Sequence, residues 1–168
     1  MVEKQEFQIR PATEADVPVL LRLIRSLAEY EKLSHEVVAT EAALRVALFG
    51  ARPSAEAVLG FAGGEPTGFA VFFQTFSTFL GVPGIYLEDI FIEPPWRGRG
   101  FGKRLMAHVA ATAVARGCGR LEWAVLNWNE PAINFYRGMG AQPRDAWTVY
   151  RLDGAGLNRL ADESPATP

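Results

Sequence analysis

The sequence predicts an α/β (α+β) fold, a mixed and mostly antiparallel twisted sheet with helices on both faces. Three observations carry this expectation. Secondary-structure signals follow the order β-α-α-β-β-β-α-β-α-β. Two neighbouring apolar runs meet at Gly63-Gly-Glu-Pro66, which has hairpin-turn chemistry. In the second half, a strand, a helix and another strand follow in succession, the arrangement of a crossover unit. A chain of 168 residues with 49% hydrophobic content suits one domain, spanning 1–168, with one sizeable core.

Each element has its own local reason. Glu6 to Arg10 reads as a short strand stopped by Pro11. Thr13 with Asp16 three residues later resembles a capping box, and Val17, Leu20, Leu21, Ile24, Leu27 and Ala28 form one helical stripe ending near Tyr30-Glu31. Thr40 caps a short helix running to about Phe49, and Gly50 to Ser54 is a loop. Strands are expected at Glu56 to Ala62, Gly68 to Phe76 and Ile85 to Ile92, with a loop from Ser77 to Gly84. Pro94 and Pro95 end the last of these. A helix then runs to about Arg116, where Gly117 and Gly119 stop it. Arg120 to Leu126 reads as a strand, Asn129 to Met139 as a helix closed by Gly140, and Trp147 to Leu152 as a final strand. The tail from about Asp162 is expected to fray.

Composition narrows the function classes. A net charge of −2 with 21% charged residues argues against a nucleic-acid binder and against a disordered tail. The single Cys118, in Arg-Gly-Cys-Gly, excludes an internal disulfide framework, and no Cys/His spacing suits a metal, so none is expected. No signal-peptide pattern or membrane-length apolar run is present, and a cytoplasmic protein without membrane association is expected.

The chain is organised around Tyr86-Leu-Glu-Asp-Ile-Phe-Ile-Glu-Pro-Pro-Trp-Arg-Gly-Arg-Gly-Phe-Gly-Lys103. After the strand, Gly98, Gly100 and Gly102 alternate with Arg97, Arg99 and Lys103, and Phe101, Leu105 and Val109 open an amphipathic helix. A helix N-terminus offers unpaired N–H groups and partial positive charge, and glycines let backbone approach an anion closely. The pattern is neither a P-loop nor the dinucleotide-binding fingerprint. A glycine-rich turn with solvated arginines is the plainer alternative.

The Arg-x-x-Gly-x-Gly pattern at Arg97 to Gly102 resembles the acetyl-CoA pyrophosphate loop of the GNAT superfamily of N-acetyltransferases. Ile9-Arg-Pro-Ala-Thr13, Leu27-Ala-Glu-Tyr-Glu-Lys-Leu33, Tyr86-Leu-Glu-Asp89 and Trp128-Asn-Glu-Pro-Ala-Ile-Asn-Phe-Tyr136 are similar to the diamine (spermidine/spermine) and thialysine acetyltransferases. The resemblance runs from about Ile9 to Leu152. It implies the GNAT fold, in which the fourth and fifth strands splay and acetyl-CoA lies in the wedge as co-substrate. Its pantetheine arm would meet Ile90, Phe91 and Ile92. Its pyrophosphate would meet Arg97, Gly98, Arg99, Gly100, Phe101, Gly102 and Lys103. A homodimer sharing its amine sites is also implied.

Acetyl transfer to an amine asks for a proton acceptor, an oxyanion donor and a proton for the leaving thiolate. Glu88, a carboxylate within an apolar strand, is a candidate base, since burial raises a carboxylate's pKa. It reads equally as a structural carboxylate capping N–H groups or facing solvent; the resemblance favours the base. Strand alternation turns Asp89 the opposite way, where it binds the amine or shapes the site. Tyr136 has the spacing of a core aromatic, and the resemblance implies a general acid beside the acetyl-CoA sulfur. Asn129 is a helix N-cap by type and place, and by resemblance a ligand of pantetheine.

The same resemblance puts Tyr30 and Glu31 along the amine channel, Glu122 and Trp123 at its floor and Asp145 at its far end. Tyr30-Glu31 also reads as an ordinary helix end. Phe79 stands where diamine acetyltransferases carry tryptophan, and Asp145 is shorter than the usual glutamate. Ala28 to Ser34 and Ala124 to Asn129 are nearer the thialysine branch. A small diamine, polyamine or thialysine-like amine is therefore the expected acceptor. The alternatives are acetylation of a protein N-terminus or lysine, and a non-catalytic acyl-CoA sensor.

Overall fold

A computed structural model describes residues 6–164. The chain separates into two compact units, Met1–Ala124 and Val125–Pro168, treated in turn. In the first, five strands lie side by side in sequence order: β1 (Phe7–Pro11), β2 (Glu56–Ala62), β3 (Glu65–Ser77), β4 (Val82–Ile92) and β5 (Leu121–Trp123). The first three pairings are antiparallel and β4–β5 is parallel. The sheet is mixed and open, as the sequence predicts.

Gly63 and Gly64 join β2 to β3 in a two-residue turn, both with positive φ (59° and 85°), the geometry that matches strand twist and suits glycine. Helices α1 (Val17–Tyr30) and α2 (Glu41–Phe49) cover one face. Leu20, Leu23 and Leu27 from α1 and Leu48 from α2 pack there against Ala57, Leu59, Phe69 and Phe91 of the sheet. Helix α3 (Phe101–Ala115) packs against β1, β3 and β4, with Phe101 stacked on Phe7 at 4.2 Å between ring centroids.

The capping signals read from the sequence are present. Asp16 accepts from the Thr13 backbone N–H at 2.7 Å, opening a short 3-10 turn (Glu14–Asp16) ahead of α1. Thr40 accepts from the Ala43 N–H at 3.2 Å and starts α2.

Several expectations need correction. β4 begins at Val82, inside the loop expected from Ser77 to Gly84, β3 begins at Glu65 rather than Gly68, and Pro11 is the last paired residue of β1 rather than its stop. The strand expected over Arg120–Leu126 is shorter, Leu121–Trp123. Trp147–Leu152 joins no sheet. Among the described residues, the second unit holds two helices, α4 (Glu130–Gly138) and α5 (Gly154–Asp162), and no ladder in which that apolar stretch could pair. Helix α5 was not expected; it is short, begins on Gly154-Ala-Gly156 and places only Leu157 and Leu160 at helical spacing. The fraying expected from about Asp162 falls mainly on residues 165–168, outside the described residues; α5 runs through Asp162. Among the described residues, no helix is long and apolar enough to cross a membrane.

Candidate active site

β4 and β5 pair only at Ile85↔Leu121, Tyr86↔Glu122 and Leu87↔Trp123. Beyond Leu87, the pairing of β4 through Ile92 is with β3 alone. The backbone of Ile90, Phe91 and Ile92 thus lies along an edge that can take an added strand.

Glu88 sits where the sheet opens, on a β-bulge. Leu87 pairs with Phe72 and Asp89 with Val71, leaving Glu88 without an opposite residue. The bulge decides which way each carboxylate faces. Phe72 and Val71 are neighbours and point to opposite faces, and cross-strand partners share a face. Leu87 and Asp89 therefore face opposite sides, although two residues apart. Asp89 joins Phe91 and Val71 on the side covered by α1.

The burial expected at Glu88 falls on its neighbour. Glu88 is exposed, whereas Asp89 is half-buried. Burial first, then the charges of Glu88 and Glu31, push the Asp89 carboxyl up from 3.8 to about 6. Burial also raises Glu31, at the C-terminal end of α1. The mutual repulsion of these acids is what an ammonium ion would relieve.

A stability consequence follows by linkage. The folded state holds the Asp89 proton more tightly than the unfolded chain, so its contribution to stability is full below about pH 4. That contribution is lost as pH rises through about 6. Asp89→Asn is expected to raise Tm by several degrees at pH 8 and to change it little at pH 4, as calorimetric scans at both pH values would show.

Helix α1 ends in a tight corner. The Leu33 N–H donates to the Ala28 carbonyl at 2.7 Å and the Lys32 N–H to that of Glu29 at 3.1 Å, a Schellman closure. Glycine is usual at the left-handed position; here Lys32 occupies it with φ 62°. Tyr30 and Glu31 are held immediately before this strained residue. Glu122 makes an ion pair with Arg120 at 2.7 Å, so its carboxylate already has a cation, and Trp123 is half-buried beside it.

The loop after β4 fits a pyrophosphate through its backbone. Pro94–Trp96 makes one 3-10 turn, and Gly98 and Gly100 both have positive φ (76° and 80°). Gly100 caps α3 without a side-chain hydrogen bond, so the first-turn N–H groups from Phe101 through Lys103 lack intrahelical carbonyls. A Cβ at Gly98 or Gly100 would meet nothing within 4 Å, leaving room for a ligand.

The loop's arginine side chains are engaged elsewhere. Arg97 Nε donates to the Ile92 carbonyl at 2.9 Å, and Arg99 donates to that of Pro95 at 3.4 Å. Gly100→Val is expected to weaken acetyl-CoA binding at least tenfold in calorimetry while the protein stays folded, because the left-handed backbone and the open space both disappear.

In the second unit, Asn129 is buried and accepts from the Ala132 N–H at 3.4 Å, the expected N-cap of α4. Tyr136 lies half-buried on the same helix, its ring 5.4 Å from that of Phe135. Asp145 is exposed in a turn closed by the Trp147 N–H donating to the Arg144 carbonyl at 3.0 Å.

A strand that opens at a bulge and runs through a left-handed glycine loop into an uncapped helix agrees with the comparisons to known proteins. The sequence model of the acetyltransferase (GNAT) family matches residues 22–141. The chain belongs to the GNAT acetyltransferase family. GNAT enzymes are N-acetyltransferases that use acetyl-CoA as co-substrate, and this chain is one of them. It is 40% identical over 164 residues to the thialysine N-epsilon-acetyltransferase of Bos taurus, covering 91% of this chain and 96% of that protein. It is 34% identical to the L-ornithine N5-acetyltransferase NATA1 of Arabidopsis thaliana, covering 91% and 87%. Among solved structures, an integron cassette protein from the mobile metagenome of V. cholerae superposes with a TM-score of 0.79 at 27% identity, covering 94% and 98%.

Two features of this GNAT site escaped the sequence reading. The bulge that reorients Asp89 depends on the register of β3, which no local pattern in β4 reveals. Arg97 also lays its guanidinium over the ring of Tyr30, far away in sequence, 4.3 Å from the centroid. The adjacent acids Glu88-Asp89 in an otherwise apolar strand were the one available signal.

Proposed function

We propose that this GNAT enzyme acetylates the side-chain amine of a small amino acid or diamine of the thialysine or ornithine kind, by direct attack within a ternary complex. The observation that carries the reading is the half-buried carboxyl of Asp89, set just past the point where β4 leaves β5 and a few residues before the glycine loop, with the charge of Glu31 at the end of α1 near enough to act on it. Relatives named for thialysine and ornithine support the same substrate class. The family match spans the boundary between the two compact units, which supports reading 1–168 as one catalytic domain.

Asp89 and Glu31 hold the ammonium group, with Tyr30 and Trp123 as apolar walls, and Asp145 is a further carboxylate for the amine. Glu88, exposed on the bulge, accepts the proton that the ammonium must lose and passes it to water. The free amine then attacks the acetyl carbonyl carbon; the C–N bond forms, the C–S bond breaks and the thiolate leaves. The Tyr136 hydroxyl supplies the thiolate's proton, and the second proton, lost from the nitrogen as it becomes an amide, returns to the tyrosinate through water. The loop N–H groups of Gly98 through Lys103 hold the pyrophosphate, the edge at Ile90 to Ile92 holds pantetheine, and Asn129 is a further pantetheine ligand. Glu122, already paired with Arg120, shapes the floor rather than binding the amine.

The test is an acceptor panel of thialysine, ornithine, lysine, short diamines, spermidine and a lysine-containing peptide, followed by thiol release from acetyl-CoA. The small side-chain amines are expected to give the highest kcat/KM. Preference for the peptide would replace this reading with protein acetylation. Tight acetyl-CoA binding with no transfer to any acceptor would make the chain a sensor.

The enzyme is further proposed to be a homodimer. Trp147, Val149, Tyr150, Leu152, Leu157 and Leu160 are all more than half exposed within a short stretch, an apolar surface that a second copy would cover. Sedimentation at assay concentration is expected to give a dimer, and Val149→Asp with Tyr150→Asp to give a monomer.

A further inference from the structure

Arg97 has a job that the glycine loop does not require. It leaves the loop on the way from β4 to α3, and its side chain turns back toward the first helix. Its guanidinium lies over the Tyr30 ring, 4.3 Å from the centroid, and 5.3 Å from that of Phe91. Its Nε donates to the Ile92 carbonyl at 2.9 Å. Tyr30 and Phe91 meet at 6.4 Å, so α1, β4 and the loop converge on one guanidinium.

We propose that Arg97 is a positioning residue for the amine end of the reaction, clamping Tyr30 and the corner that carries Glu31 to the cofactor loop. The inference rests on the functional reading above, in which that corner holds the substrate ammonium. Three points support it. The corner is the place in α1 that needs holding, because Lys32 keeps a left-handed backbone there. The clamp uses the two properties that separate arginine from lysine, a flat cation that stacks on rings and an Nε–H in its plane. The third point is its location at both ends. Ile92 closes the edge proposed to receive pantetheine, and Tyr30 precedes Glu31, so ordering the loop orders the corner.

The clamp predicts an uneven kinetic effect. Arg97→Gln and Arg97→Lys should each raise the KM for ornithine or thialysine by about three- to tenfold, the range of a partly exposed cation–π contact. Acetyl-CoA affinity, measured by calorimetry, should stay within about twofold, since the loop holds the pyrophosphate through backbone N–H groups. Lysine should not rescue, although it keeps the charge. Tyr30→Leu combined with Arg97→Gln should be no worse than the more damaging single change, the mark of coupled residues in a double-mutant cycle.

A second readout does not depend on turnover. In Arg97→Gln, amide hydrogen exchange should quicken at Glu31 to Leu33, while the strand amides of Phe69 and Ala70 stay protected. Loss of acetyl-CoA affinity in Arg97→Gln, restored in Arg97→Lys, with amine KM and corner exchange unchanged, would make Arg97 a pyrophosphate ligand and overturn the clamp. Additive effects of the two substitutions would overturn it as well. If the wild type acetylates no small amine, the functional reading fails, and corner exchange alone decides whether the clamp exists.

Discussion

Tyr136→Phe is expected to lower turnover by about two to four orders of magnitude, the span of a positioned proton donor. The substitution removes one oxygen and keeps the ring that packs beside Phe135 on α4. A leaving thiolate gains from a proton at the transition state, whereas ground-state acetyl-CoA binding does not use that proton. Calorimetric affinity for acetyl-CoA should therefore move little while kcat falls. If affinity dropped and the rate per bound complex stayed at the wild-type value, Tyr136 would be a packing residue and another group would supply the proton.

Glu88→Gln should reduce kcat/KM by a comparable factor, about a hundredfold or more, because an amide cannot accept the proton from the ammonium group. The pH dependence separates it from its neighbour. Asp89 must be ionised to hold a cation, and its carboxyl titrates near 6. The kcat/KM profile is expected to fall below about pH 6, and Asp89→Asn to abolish that limb along with most of the amine affinity. Glu88→Gln should lower the whole profile and, by removing one of the charges that raise Asp89, shift the limb to more acid pH. Wild-type rates in Glu88→Gln across the pH range would mean that the amine arrives already deprotonated.

Most of the first unit was legible because its signals are local. The Thr13–Asp16 and Thr40 caps, the Gly63-Gly64 turn and the Pro94-Pro95 stop each act within a few residues, and the elements they bound are all present, although β3 begins at Glu65 rather than Gly68 and β4 at Val82 rather than Ile85. The left-handed glycine loop was legible for the same reason: alternate glycines before an amphipathic helix constrain the backbone directly. The facing of Asp89 was not, since it follows from two strands being out of step by one residue at Glu88. A pattern of period two placed Glu88 in the buried role that Asp89 has. Trp147–Leu152 failed differently. Its composition suits a strand, but a strand exists only where another edge accepts its hydrogen bonds.

The most direct measurement follows the acetyl group itself. Protein is incubated with acetyl-CoA labelled in the acetyl carbon, first alone and then with thialysine or ornithine, and label is traced by mass spectrometry. Direct transfer predicts unlabelled protein in the first step. In the second, one labelled N-acetyl amine should appear for each CoA released, with the label on the side-chain nitrogen. Label retained on the protein and chased into the amine, or CoA released without any acetylated amine, would contradict the account.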